Sequence, residues 1–371
     1  MLKIQRNAVQ VFGWLFWFLV TWAEHETWYT NVGQPFLIVL SVATFLIVMA
    51  LVFRVVHFAE KLAHALGEPY GTLVLTLSAT VIEATILVMV MQHGDQNPTL
   101  LRDTVFATIM LVLNGMVGLC LIAGSIRHLQ QSFNLQGALS FLHMITPLAL
   151  LLLILPNYTV SAKGPILSLT QEAFIGTMCV SVYLLFLLLQ TGRYRIHFIE
   201  PEPHRASRVE RAGPKNTSAS LRTLLISTLG LLAALVPIVL LSETLGESIN
   251  YGIEVMGLPI ALGGLLVNCL VLTPEFMASF KAATRRQMQR AVNISLGSAL
   301  ATIALTVPLV LLFSALTSHE IIIGLTGAEI PLLFSTLLIS IITFISGSAN
   351  LLQGIVHMML FFTYLFLIFF P

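Results

Sequence analysis

The sequence predicts an all-α integral membrane fold with about eleven transmembrane helices, and three observations predict it. Hydrophobic residues make up 57% of the 371-residue chain, where a soluble domain carries about 45–50%. Charged residues make up 9%, about a third of the roughly 25% that solvates a soluble surface. The apolar residues also fall into long runs, and a spanning helix needs about 20 such residues. Together these exclude a soluble enzyme and a nucleic-acid binder. The net charge of +1 says little about partners, because the placement of charges along a membrane chain matters more than their sum.

Eleven apolar runs bounded by polar residues, Gly or Pro lie near 9–24, 36–56, 70–92, 104–125, 138–156, 172–190, 222–241, 257–280, 291–313, 330–346 and 351–370. The first is short and carries Trp14, Trp17 and Trp22. Its length also suits the apolar core of a signal peptide, but no small-residue cleavage pattern precedes Glu24, so it reads as a retained anchor. With a cytoplasmic N-terminus, Lys and Arg should gather in alternate loops on the cytoplasmic side. Of the 18 Lys and Arg, only Arg102 and Lys163 then fall outside. An error of one span before the long loop would scramble that sorting, so the distribution supports the topology and the anchor together.

Between the sixth and seventh runs lies the one long polar stretch, with Pro201, Pro203, Pro214 and clustered Arg. It reads as a cytoplasmic basic linker whose charge fixes topology, contact with anionic lipid being its alternative role. Setting the first span aside leaves five spans on either side. Five is odd, so the second set must run upside down relative to the first, the inverted-repeat plan of many secondary transporters. The expected organisation is an extra N-terminal helix over 1–30, a first five-helix repeat over 31–190, the linker over 191–221 and a second, inverted five-helix repeat over 222–371. A trace of the repeat survives in Gly67-Glu68-Pro69 and Gly257-Leu258-Pro259, each followed by a lone membrane-embedded glutamate, Glu83 or Glu275.

An ionised carboxylate inside the hydrocarbon is costly, and those retained usually face a partner, a water-filled cavity or a transported ion. Thr72, Thr76, Thr80 and Glu83 recur along one helical stripe, offering hard oxygen ligands suited to Na⁺, K⁺ or Ca²⁺. Pro274, which lacks a backbone N–H, precedes Glu275 and leaves the carbonyl near Leu270 without its helical donor. Counted from the expected helix starts at Tyr70 and Gly257, Glu83 lies about 20 Å and Glu275 about 27 Å along their helices; a later start of the second helix, or a kink at Pro274, would remove the mismatch. Ser295, Ser298, Thr302 and Thr306 form a second stripe, although such hydroxyls also bond the carbonyl four residues back. Asn114 and Asn268 are amides at membrane depth, with interhelical bonding as the first role of each and support of a bound cation as the second. The other acids, Asp103, Glu172 and Glu329 among them, read as solvated charge near span ends. His143 and His357 read as neutral packing residues, with proton relay as the alternative. Cys120, Cys179 and Cys269 stand singly and read as core fillers.

No phosphate-binding G-x-x-x-x-G-K-[ST] loop, HExxH zinc helix or GxSxG elbow occurs, so an ion gradient is the expected energy source. The stretch from Gly67-Glu68-Pro69 to Glu83, then Pro98-Thr99-Leu100-Leu101-Arg102-Asp103, Thr273-Pro274-Glu275, Gln289-Arg290-Ala291-Val292-Asn293, Gly297 through Thr302 and Val307-Pro308 closely resembles bacterial ChaA-type cation/proton antiporters of the calcium/cation antiporter superfamily. The resemblance runs from about the second span to the eleventh. It implies exchange of cytoplasmic Ca²⁺, Na⁺ or K⁺ for external protons, with Glu83 and Glu275 in the places of the superfamily's two repeat glutamates and Thr273 beside the second. Where Gly-Asn is common before those glutamates, this chain has Ala79-Thr80 and Val271-Leu272.

Desolvation favours the neutral form of a carboxyl group, so proton and cation can compete for the same oxygens near neutral pH. Exchange follows if the protein changes access only when its site is neutralised by one or the other. The expected partners are therefore inorganic cations, protons and the lipid bilayer, with no cofactor, no nucleic acid and a homo-oligomer left open. The expected location is the bacterial inner membrane, and the protein is not expected to be an enzyme. A passive cation channel lined by the same residues is the competing function.

Overall fold

The computed structural model describes residues 2–25, 34–66, 70–92, 98–162, 164–199, 221–254, 256–317 and 320–371. The Gly67-Glu68-Pro69 motif, most of the linker and the Thr72 side chain lie outside the described residues. α1 spans Leu2–His25, α2 Gln34–Leu66 and α3 Tyr70–Gln92. α4 (Leu100–Ile109) continues through a π-helical segment, Met110–Met116, into α5 (Val117–His128). α6 is Leu135–Leu153, α7 Leu169–Thr191, α8 Leu221–Glu254 and α9 Ala261–Thr284. α10 (Met288–Ala301) passes through a second π segment, Thr302–Thr306, into α11 (Val307–Thr317). α12 (Glu329–Ile345) and α13 (Leu351–Phe369) follow.

Joining the two pairs at their π segments gives eleven rods, one for each expected span. Among the described residues eight are long and apolar enough to cross a membrane, and shorter apolar stretches lie at 9–22, 76–92 and 329–345. The fold is thus an all-α membrane fold with an extra first helix and two inverted five-helix repeats. Matching elements occur in order: a long first helix (α2, α8), the glutamate helix (α3, α9), a helix interrupted by a π segment (α4–α5, α10–α11), and two shorter helices (α6–α7, α12–α13). α7 and α13 even begin alike, with Gln171 and Gln353 each accepting from the backbone N–H three residues earlier.

Two helices outrun their expected ends. α2 continues to Leu66 because Phe58 to Leu66 is rich in Ala, Leu, Glu and Lys and contains no breaker. α8 continues to Glu254, through Pro237 and beyond residue 241. Tertiary packing holds that extension: Leu245 and Ile249 are buried one turn apart, and Asn250 Nδ2 donates to the Val90 carbonyl at 3.1 Å.

The helices pack into two compact units, Met1–Asn97 with Ser218–Pro274, and Pro98–Thr217 with Glu275–Pro371. Each unit draws on both repeats. In the first, α8 packs against α2 and α3. Gly246 permits the close approach, since a Cβ there would meet the Met89 and Val90 backbone at 3.1 Å. α1 is fastened by Gln10 Nε2, which donates to the Gly230 carbonyl at 2.8 Å, and by Trp14 Nε1, which donates to that of Ala233 at 3.2 Å.

In the second unit α13 lies along α5 and the π segment before it, α11 lies on α7, and α6 on α10 and α12. Two short backbone pairings trade roles between the repeats. β1 (Gln131–Ser132), after α5, pairs antiparallel with β2 (Ser348–Ala349), after α12. Ile166, after α6, bridges Ile322, after α11. The loop before the fourth helix of one repeat thus meets the loop after the fourth helix of the other, twice, as a two-fold relation requires.

The α5–α13 crossing leaves no room for a side chain at Gly354. A Cβ on Gly354 would lie 2.9 Å from the Gly118 carbonyl oxygen and 2.7 Å from the Ile122 side chain. Backbone cannot yield as a flexible side chain can, so Gly354→Val should cost at least about 1–3 kcal/mol, the usual range for overpacking. The check is a lower thermal midpoint of the purified protein in detergent.

Candidate functional site

Glu83 lies in the middle of α3 and is 3% exposed. Thr80 is equally buried and Thr76 half-buried. Their spacing of four and seven residues keeps all three on one face of the helix. Glu275 is half-buried on α9, and Asn268, seven residues earlier on the same face, is fully buried. The Thr273 hydroxyl donates to the Cys269 carbonyl four residues back. α9 continues past Pro274 to Thr284.

The expected mismatch in depth disappears. Gly257, at φ +68°, sits in a turn closed by Leu258 N–H donating to the Gly252 carbonyl at 3.1 Å, and α9 begins only at Ala261. Glu83 then lies 13 residues into a helix starting at Tyr70, and Glu275 lies 14 into one starting at Ala261. At about 1.5 Å per residue both depths are near 20 Å.

In the second unit Ser295, Thr302 and Thr306 are buried and Ser298 is half-buried. Thr302 opens the π segment of its span, and such segments gather at functional sites because they break the helical register. Asn114 lies in the corresponding segment of the other repeat. It is fully buried, donating to Thr336 Oγ1 at 2.8 Å and facing His357 Nδ1 at 3.1 Å. His143 is exposed on α6. Asp103 departs from the solvated charge expected of it: it is 3% exposed, ion-paired to Arg102 at 2.7 Å and accepting from Thr99 at 2.9 Å. Among the described residues no three His, Cys, Asp or Glu side chains converge as metal ligands. Glu83, Thr76, Thr80, Asn268 and Thr273 belong to the first unit, and Glu275, Ser298, Thr302 and Asn114 to the second.

With these positions established, comparison with known proteins decides the family. The family of sodium/calcium exchanger proteins matches residues 36–192 and 226–370. The chain belongs to this family. It is 38% identical over 317 residues to a putative ionic transporter, y4hA, of Sinorhizobium fredii, covering 85% of this chain and 84% of that protein. It is 32% identical over 342 residues to the sodium-potassium/proton antiporter ChaA of Escherichia coli, covering 92% of each. Among solved structures it is similar to the Ca²⁺/H⁺ antiporter protein YfkE, with a TM-score of 0.68 over 100% of this chain and 99% of that one at 17% identity. That likeness concerns the fold. The expected resemblance to ChaA-type antiporters holds, and this member of the exchanger family is a multi-pass helical membrane antiporter of cations.

Matching the exchanger's two repeats brings out residues that the sequence reading passed over. Aligning Glu83 with Glu275 places Thr76 opposite Asn268, so each repeat has a polar side chain two turns before its glutamate. Ala107-Thr108-Ile109 matches Ala301-Thr302-Ile303, which sets Thr108 opposite Thr302 and Thr104 opposite Ser298. Thr104 and Thr108 are buried, and the Thr108 hydroxyl donates to the Thr104 carbonyl at 2.9 Å. The repeated tripeptide was the available signal. It was overshadowed by the glutamates because a threonine in an apolar run is common and a carboxylate is not.

Proposed function

We propose that this antiporter exports cytoplasmic Ca²⁺, Na⁺ or K⁺ in exchange for protons, with Glu83 and Glu275 bound alternately by cation or H⁺. One observation carries the proposal: each repeat holds a lone glutamate at the same depth in its second helix, with a polar side chain two turns before it. Thr80, Ser298 and Thr302 are the supporting hydroxyls, together with Thr104 and Thr108. Thr76, Thr273, Asn114 and Asn268 supply further oxygen atoms on the same helices. Oxygen-only ligands suit hard cations.

Two carboxylates neutralise one Ca²⁺ or two monovalent ions, and protons neutralise them equally well. An exchanger that changes access only when this charge is neutralised moves cations against protons without ATP. The relative named a sodium-potassium/proton antiporter supports monovalent substrates. The Lys and Arg distribution supports an inner-membrane protein with its N-terminus and linker in the cytoplasm, and the division into an anchor, two repeats and a linker belongs to the same proposal.

The test uses proteoliposomes with an imposed pH gradient and Na⁺, K⁺ and Ca²⁺ added separately. At least one cation should collapse the gradient in a saturable manner, and dissipating the gradient beforehand should stop cation accumulation. Cation uptake indifferent to the gradient would indicate a channel and refute the proposal.

A further inference from the structure

The second unit holds a buried polar seam of which the proposed exchange cycle uses only Asn114. Thr336 and Thr343 on α12, His357 on α13 and Asn114 on the π segment are all 0–2% exposed. Asn114 Nδ2 donates to Thr336 Oγ1 at 2.8 Å, and Met110 Sδ lies 3.5 Å from the same nitrogen. With the amide nitrogen so engaged, Asn114 Oδ1 accepts from His357 Nδ1–H at 3.1 Å, and His357 Nε2 accepts from the Thr343 hydroxyl at 3.0 Å. A neutral imidazole has one donor and one acceptor, and both are used here.

The neighbouring contacts show what this bonding holds. α13 runs along the π-bearing span, with Gly354 against Gly118, His357 Cβ facing Gly118, and the Phe361 ring 3.4 Å from where a Cβ on Gly115 would stand. A π segment carries an extra residue relative to α-helix. Since each residue turns an α-helix by about 100°, annealing or shifting the segment would rotate Thr104 and Thr108 about the axis relative to Gly118. The apolar contacts resist separation of the helices. The Asn114–His357 bond is directional and specifies the register.

We propose that His357 is a positioning residue that pins the fourth-span π segment through Asn114 and so sets the aim of Thr104 and Thr108. This rests on the reading that those hydroxyls contact the transported cation. It assigns the ring a hydrogen-bonding role in place of proton carriage, which separates it from the glutamates.

The test compares His357→Leu, His357→Asn, Asn114→Leu and the Leu–Leu double variant with the parent protein in proteoliposomes. The half-saturating cation concentration, the maximal rate, the pH profile and the thermal midpoint are measured for each. His357→Leu should raise the half-saturating concentration about tenfold, the scale of a lost buried hydrogen bond, while proton coupling persists. His357→Asn, whose amide replaces Nδ1–H, should restore it to within about twofold of the parent with the parental pH profile. The double variant should be less impaired than the two Leu variants summed, because the Asn114–His357 bond is already lost in each of them. The proposal is overturned if His357→Asn is as impaired as His357→Leu, which would make the ring a proton carrier. It is also overturned if His357→Leu lowers only the thermal midpoint and leaves the half-saturating concentration unchanged. Glu83→Gln serves as the control: intact exchange in that variant defeats the glutamate reading, whereas the His357 series is scored against the parent protein alone.

Discussion

Glu83→Gln is expected to abolish proton-coupled cation flux in everted vesicles while the protein still inserts into the membrane. Glutamine keeps the volume and one oxygen acceptor of the buried side chain, so packing on α3 is preserved and only the charge and the titratable proton are lost. Removing one partner of a buried charge pair costs about 2–5 kcal/mol, a fall of roughly thirtyfold to several thousandfold in cation affinity. The proton that Glu83 would carry is lost with it, since an amide does not titrate in this range. Glu83→Asp retains the charge on a shorter stem and should exchange with a raised half-saturating concentration. Undiminished exchange in Glu83→Gln would sink the site assignment.

The span count and the glutamates were legible because each rests on a large energy. Long apolar runs are unaffordable in water, and a carboxylate is costly in hydrocarbon, so both stand out residue by residue. Helix ends were harder to read. α2 and α8 extend past their apolar runs because helix propensity and the packing of Leu245 and Ile249 do not depend on contact with lipid. The late start of α9 depends on the positive φ of Gly257, which a Gly-Leu-Pro triplet permits without requiring. The π segments were not legible, since residues 110–116 and 302–306 carry no composition that separates them from α-helix. The burial of Asp103 was missed for a related reason. Its neutralising partner Arg102 is the adjacent residue, and neighbours in sequence ordinarily point to different faces of a helix.

Competition between proton and cation predicts a second large effect, on the dependence of cation affinity on pH. Where the carboxyls are mostly protonated, a cation that displaces one proton binds about tenfold more weakly for each unit the pH falls, and one that displaces two about a hundredfold more weakly; these are the free-energy equivalents of one and two pK units. The half-saturating concentration for cation binding to the purified protein, measured across two pH units, should follow the steeper law if Glu83 and Glu275 share one ion. Glu275→Gln leaves a single carboxyl, so its residual binding should follow the shallower law, with the loss of affinity greatest at high pH, where the parent carries both charges. The proposed sharing of one ion therefore predicts matched slopes in Glu83→Gln and Glu275→Gln, both shallower than that of the parent. A slope in Glu275→Gln equal to that of the parent would place Glu275 outside the site, and a pH-independent affinity in the parent would remove the exclusion on which antiport depends.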